Sequence, residues 1–356
     1  MAGGFQPCRR SNRVSGPFFD LAYALPDHLL RGADAARVLR GLPDRSEIGN
    51  IVIFGMGTGR TAGQVVRAVG SSGIAAPILV ESSYAIPACV GRLSLVFAIS
   101  GSGNTDEVNH AAAASAALGA PIVAISIGGW LVDFAQESGA AIVRIPAEIQ
   151  PARATFGVVV GSLLTVLERV GFLPEAGRWI ESAVSQLGRR REELSRDDSP
   201  AKRLASALAG RHVLCQGDAP IGATAAERWK AQINQNARQA ASASEQPNAS
   251  HNEAVAWDCR NDLTMQREAA VLLRHGYEDP RVSQRIDRLA QYLSGKIPVH
   301  SVQGEGDTRF AALMDLVMIG DFTSLHLAQL NGVDPGSVQF ISHAVKEGLA
   351  PPNLQK

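Results

Sequence analysis

Short apolar runs that alternate with Ala-rich helical ones set the strongest limit on how this chain can fold. Asn50–Gly55 (NIVIFG), Pro77–Glu81 (PILVE), Leu95–Ser100 (LVFAIS), Pro121–Ser126 (PIVAIS) and Ala141–Pro146 (AIVRIP) are rich in Val and Ile. They show little polar alternation, which is how parallel strands covered on both faces read. Helical patterns such as Thr105–Gly119 (TDEVNHAAAASAALG) lie between them. Parallel strands need crossover connections, so the chain is expected to be α/β, with parallel sheets flanked by helices. An all-helical middle follows: Phe156–Leu173 and Glu175–Ala209 predict two or three helices. His212–Gly217 (HVLCQG) then repeats the strand and glycine turn, and AAVLLRHG and PVHSVQGEG continue as strands. Two α/β halves result. Residues 1–16 read as a loose tail, 17–172 as the first half with N-terminal helices, 173–200 as a helical connection and 201–356 as the second half.

Composition narrows the function classes. Hydrophobic residues make up 46% and charged residues 19%, the balance of a globular chain and not of a disordered one. Lys+Arg and Asp+Glu both number 34. No basic tract stands out, so no nucleic-acid partner is expected. The run RRREE at Arg189–Glu193 is offset by Glu192, Glu193, Asp197 and Asp198, and predicts a solvated helix face. Cys8, Cys89, Cys215 and Cys259 are scattered, with neither metal spacing nor a disulfide framework. They predict reduced thiols, a cytoplasmic location and no metal. No signal peptide is evident, because the early apolar run PFFDLAYAL is short and holds Asp20. Phe156–Leu167, read as the most apolar stretch, is too short to span a bilayer, so no membrane partner is expected.

Chemistry in an open α/β sheet sits at the carboxyl ends of the strands. The first turn there is GMGTGRTAG, Gly55–Gly63, whose backbone amides near a helix start suit a phosphate. It lacks the full Gly-x-Gly-x-x-Gly register, because Arg60 takes the last position, and no nicotinamide cofactor is expected. The second is SGSGNTDE, Ser100–Glu107, with three hydroxyls and two glycines before a helix. Hydroxyls and helix amides together bind phosphate without Lys or Arg. Thr105 or Asn104 is also expected to cap that helix. A third stretch, Ala231–Ala240 (AQINQNARQA), carries Gln232, Asn234, Gln235, Asn236 and Gln239 but no carboxylate. It fits either a helix facing a sugar or a plain exposed amide-rich helix.

SGSGNTDE resembles the phosphate loop of sugar isomerase (SIS) domains. QPARATFG, AERWKAQINQNAR, HNEAVAW and the long run from Glu305 to Pro335 resemble, in order and position, the bifunctional phosphoglucose/phosphomannose isomerase family. The resemblance implies two SIS domains, each a flavodoxin-like parallel sheet, and aldose–ketose isomerisation of a phosphorylated sugar without cofactor. It implies phosphate contacts at Gly57, Thr58, Gly59, Ser100, Ser102 and Thr105, with Arg60 as a possible addition. It implies that Arg153 orients substrate and stabilises the enediolate. It also implies a homodimer whose active site lies at the subunit interface, with His251, which opens the sugar ring, reaching it from the second subunit. Three departures stand out. Relatives carry a base glutamate where this chain has Gln235, and a neutral amide cannot abstract a proton. Gly59 stands where relatives carry serine. The lysine near the C-terminus aligns with Val345, leaving Lys346 one position on. Glu253, two residues after His251, is the better replacement base than Glu227; His251 itself is an alternative. A sugar-phosphate-binding protein without catalysis is the alternative reading.

Overall fold

Residues 16–256 and 266–336 are described by a computed structural model. Two all-parallel sheets organise them. The first has strands β1 (Asn50–Gly55), β2 (Ile78–Glu81), β3 (Ser94–Ile99), β4 (Ile122–Ser126) and β5 (Ala141–Arg144), in the order β2-β1-β3-β4-β5. The second has β6 (His212–Asp218), β7 (Ala241–Gln246), β8 (Glu268–His275) and β9 (Val299–Gly304), in the order β7-β6-β8-β9. β1, β3 and β4 are buried nearly throughout, which is why their sequences show no polar alternation.

β7 is the strand that the sequence reading missed. Its residues, ASASEQ, are small and polar and lack the β-branched signature. It pairs with β6 over its full length, from Val213 opposite Ala241 to Asp218 opposite Gln246.

Helices cover the sheets. α1 (Pro17–Tyr23) and α2 (Leu25–Arg37) precede β1; α3 (Thr58–Gly70), α4 (Asp106–Ala117) and α5 (Trp130–Ser138) connect the first sheet. α6 (Phe156–Val170), α7 (Ala176–Leu194) and α8 (Pro200–Leu208) form the middle. α9 (Ile221–Ala237), α10 (Glu253–Ala256), α11 (Pro280–Ser294) and α12 (Arg309–Leu330) belong to the second half. Local signals start several of them. Ser199 accepts the Lys202 amide ahead of Pro200, Asp279 accepts that of Arg281, and Thr308 accepts that of Ala311.

One apolar core runs through both halves, joining α2, α6, α9 and α12. Each fully buried Leu or Val there contributes roughly 1.5–3 kcal/mol. α12 is long and apolar enough to cross a membrane, but its apolar window is 100% buried within the protein. It is a core helix pinned by two ion pairs. Asp315 receives Arg190 of α7 through two bonds of 2.9 Å, and Asp321 receives Arg228 of α9 at 3.1 and 3.0 Å. This corrects one expectation: the RRREE run is not simply a solvated face, because Arg190 is buried and answers the buried Asp315. The expected tail falls mostly outside the described residues, as do Cys8 and Cys259.

Candidate active site

The strand order of the first sheet reverses between β1 and β3, which opens a crevice at their carboxyl ends. Both sequence-predicted phosphate turns meet there. After β1 the chain turns at Gly57, with φ 49°, and enters α3 at Thr58. Thr61 is spent on the helix, its hydroxyl donating to the Gly57 carbonyl at 3.1 Å. Gly59 is buried against β3. A Cβ added there would lie 3.1 Å from Ile99 Cγ2 and 3.2 Å from Ile99 O. A serine therefore has no comfortable room here, and glycine is built into the packing.

The loop after β3 is held by its own hydroxyls. Ser100 Oγ and Thr105 Oγ1 are 2.8 Å apart, and the Asn104 amide donates to Ser102 Oγ at 3.2 Å. Ser100 is buried, Ser102 is exposed and Thr105 lies between. Gly103 is required by the turn: its φ is 72°, and a Cβ would fall 1.6 Å from the Gly128 carbonyl oxygen. The expected cap does not form. Thr105 stands at the N-cap position of α4, yet its side chain bonds Ser100 and not the helix. Asn104 instead accepts the Trp130 amide at 3.1 Å, the first amide of α5. Tyr84, not singled out from the sequence, donates its phenol to Asp106 Oδ2 at 2.7 Å, and that bond pushes its pKa up to about 12.

Arg153 adjoins this loop through its backbone. It lies in the one-turn helix Ala152–Thr155, and Ala152 packs so close to Gly101 that a Cβ on that glycine would sit 2.8 Å from the Ala152 Cβ. Its side chain turns the other way and is buried. Nε donates to Asn236 Oδ1 at 2.8 Å, Nη2 donates to the Pro335 carbonyl, and the guanidinium lies 5.1 Å from the Phe18 ring. Burial and the neighbouring Arg228 hold its pKa below the usual arginine value. The space beside it is about 30 Å³, room for one water and not for a sugar. Arg228 supports the turn from beneath, donating to the Arg153 carbonyl at 3.4 Å as well as to Asp321.

The amide-rich end of α9 is not an exposed face. Gln232, Asn236 and Gln239 are buried. Asn236 bridges Arg153 and Ser324 of α12; Gln239 donates to the carbonyls of Leu208 and Arg211, both at 2.7 Å; Asn234 accepts the Ala241 amide that opens β7. Gln235 differs. It is half-buried and, among the described residues, makes no hydrogen bond.

His251 closes the short helix Asn248–His251 and is exposed. It lines a cleft of about 630 Å³ with Ser250, Val255, Arg285, Leu289 and Tyr292, all from the second half. The structure does not place it in one cleft with the hydroxyl loop of the same chain. Glu253 lies two residues on and accepts Gln216 Nε2 at 3.1 Å. Val345 and Lys346 lie outside the described residues. No cluster of His, Cys, Asp and Glu that could hold a metal occurs among the described residues.

Arg228 and Asp321 were not singled out from the sequence, although one signal for them is present there. An arginine between Ala225, Ala226 and Trp229 in a helix core must find a counter-charge.

The chain is similar to several known proteins. A Caldicellulosiruptor bescii bifunctional phosphoglucose/phosphomannose isomerase is 30% identical over 329 residues, covering 91% of this chain and 96% of that protein. The chain belongs to the bifunctional phosphoglucose/phosphomannose isomerase family. The family member of Aquifex aeolicus is 31% identical over 275 residues, covering 77% of this chain and 81% of its own length. The profile of the bacterial phospho-glucose isomerase C-terminal SIS domain matches residues 197–347. Among solved structures, the C-terminal domain of glucosamine-fructose-6-phosphate aminotransferase from Francisella tularensis superposes with a TM-score of 0.68 at 13% identity, covering 92% of this chain and 100% of that one. A glucose-6-phosphate isomerase like protein from Thermus thermophilus gives 0.51 at 20% identity, covering 69% and 77%. These likenesses concern the fold: SIS-type parallel sheets flanked by helices.

Proposed function

We propose that this chain is a sugar-phosphate aldose–ketose isomerase of the phosphoglucose/phosphomannose type, working through a cis-enediol(ate). The observation that carries the reading is the hydroxyl loop Ser100–Thr105, set at the strand-order reversal of the first sheet in a chain of this family. Ser100, Ser102 and Thr105, with the amides of the Gly57–Gly59 turn, hold the phosphate. A neutral, hydroxyl-built cradle suits a small dianion next to helix starts.

The reaction moves one proton between C1 and C2. A base takes the C2 proton of the open aldose, the electron pair forms the C1–C2 double bond, and the C1 oxygen takes a proton. The same proton, or one from water, then returns to C1 as the C2 hydroxyl gives up its proton, replacing the one that the C1 oxygen took, and becomes the ketose carbonyl. Gln235 cannot be that base, because an amide has no useful basicity. Its side chain, without a hydrogen-bond partner among the described residues, supports a role in hydrogen-bonding the sugar. Glu253 carries the base role in this reading, with His251 opening the ring. Both stand on one exposed segment that shares no cleft with the hydroxyl loop of the same chain, which supports a homodimer in which each chain lends this segment to its partner. Arg153 stabilises the enediolate after its guanidinium leaves Asn236 and Pro335.

The specific observation favouring a second reading, a sugar-phosphate-binding protein without turnover, is the missing carboxylate at Gln235. Proton NMR in D2O separates the two. Glucose 6-phosphate, mannose 6-phosphate and fructose 6-phosphate are incubated with the protein. Deuterium entering C2 or C1, lost in His251→Ala and Glu253→Gln, is the expected result. Binding of the same sugars without any exchange sinks the isomerase reading.

A further inference from the structure

The second sheet has its own strand-order reversal, between β6 and β8, and there the crevice is filled. Asp218 ends β6 and His275 ends β8. His275 Nε2 lies 2.6 Å from Asp218 Oδ1, and both side chains are buried. The Tyr277 amide donates to His275 Nδ1 at 3.1 Å, so the ring hydrogen sits on Nε2 and points at the carboxylate. The Gly222 amide adds a bond to the same oxygen at 3.2 Å. A plugged crevice with a carboxylate in it does not take a phosphate.

The open space at this end of the second sheet lies beside β7 instead. A cleft of about 380 Å³ separates α3 from the Ala219–Pro220 turn, α9 and the end of β7. That volume is in the range that holds a small ligand. Arg60, Gln64 and Arg67 form one wall, spaced four and three residues apart and so on one face of α3. Glu227 of α9 and Glu245 of β7 form the other. Among the described residues Arg60, Arg67 and Glu245 join no ion pair, and Glu227 reaches only Lys230 of its own helix, at 3.6 Å. Two cations thus face two anions across a gap wider than the 4.0 Å of an ion pair. A ligand with an anion at one end and a cation at the other satisfies both walls.

We propose that this cleft is a second ligand site, for a phosphorylated amine of hexose size. Arg60 and Arg67 take the phosphate, for which the guanidinium fork is suited. Glu227 and Glu245 take the ammonium. The proposal does not rest on the isomerase reading, since none of Ser100, Ser102 and Thr105 lines the cleft.

The test is isothermal titration of the full chain with glucosamine 6-phosphate. The hydroxyl loop is first weakened by Ser100→Ala, Ser102→Ala and Thr105→Val, and the cleft is then read through Arg67 and Glu245, which lie outside that loop. One binding event per chain is expected. Arg67→Gln and Glu245→Gln should each weaken it about ten-fold or more, the usual scale for one charge-assisted bond. Glucose 6-phosphate, which lacks the ammonium, should bind about ten-fold more weakly or worse. Absence of binding in the loop-weakened chain overturns the proposal. So does binding that neither Arg67→Gln nor Glu245→Gln weakens, or equal affinity for the two sugars. Should the loop-weakened chain fail to fold, the unmodified chain is titrated instead. Two events are then expected, with one lost in Arg67→Gln, and a single event untouched by that change overturns the proposal equally.

Discussion

Asp321→Ala tests how the candidate site is built. Asp321 lies within α12, and its side chain is 9% exposed; that of Arg228 is 5% exposed. The pair is bidentate, at 3.1 and 3.0 Å, and no second carboxylate reaches Arg228 among the described residues. The Phe156 ring lies 4.5 Å from the guanidinium and offers little compensation for a lost anion. Removing Asp321 leaves a buried cation without its partner, a change that costs about 3–5 kcal/mol. A merely hydrogen-bonded pair would cost about 1 kcal/mol. Urea unfolding followed by circular dichroism measures the difference. The double variant Arg228→Met with Asp321→Leu removes both charges and should return to within about 1–2 kcal/mol of the parent, as replaced buried pairs often do. Arg228 also holds the Arg153 carbonyl, so turnover should fall in both variants even where stability recovers. Asp321→Ala within about 1 kcal/mol of the parent, or a double variant as unstable as the single one, would refute the reasoning.

Other outcomes follow from the same contacts. Gln235→Glu puts a carboxylate at a half-buried side chain that has no hydrogen-bond partner among the described residues, and in a Glu253→Gln background should raise C2 proton exchange about a hundred- to ten-thousand-fold; NMR in D2O reads this, and no gain counts against Gln235 facing the sugar. Gly59→Ser should lower stability by about 1–3 kcal/mol through overpacking on Ile99, and adding Ile99→Leu, which removes the crowding Cγ2 branch at nearly constant volume, should recover part of it, as urea midpoints will show. Acid should destabilise the fold through His28 and His326. Burial lowers the pKa of both below 6.5 in the folded chain, so the unfolded chain binds more protons as pH falls. Their contribution is complete above about pH 6.5 and is lost as pH drops through the folded values. His28→Gln with His326→Gln should flatten the stability slope below pH 6.5, and an unchanged slope counts against this assignment.

The strands of the first sheet were legible because burial on both faces leaves a local signature, runs of Val and Ile without alternation. β7 was not, because its stability comes from pairing with β6 and packing under α9, and neither is written in ASASEQ. The hydroxyl loop was legible for the same local reason: Ser100, Ser102, Gly103 and Thr105 act within six residues of one another. The capping role assigned to Thr105 failed because its hydroxyl had a closer partner in Ser100, 2.8 Å away. Arg190 was taken for a solvated charge because its counter-charge, Asp315, is 125 residues distant in sequence. Arg153 was identified through its motif, but no motif shows that its side chain is held by Asn236 and Pro335.

The amides of α9 show how a site can be separated from its scaffold. Asn234 opens β7, Asn236 joins Arg153 to α12, and Gln239 closes the junction with α8. Asn236 and Gln239 make their bonds in a buried place, where a charged side chain would make them badly, and Asn234 makes its bond at the surface. A scaffold role therefore accounts for the density of amides but not for Gln235, which is flanked by bonded neighbours and yet has no partner of its own among the described residues. A half-buried amide in that state has both a donor and an acceptor to offer. Substitution by a partner-free apolar residue would cost the fold little, since no bond is lost. Gln235→Leu should thus leave the urea midpoint almost unchanged while weakening sugar-phosphate binding. Scaffold and ligand roles come apart in that one variant: a large loss of stability would put Gln235 with its neighbours in the framework, and a selective loss of binding would put it in the site.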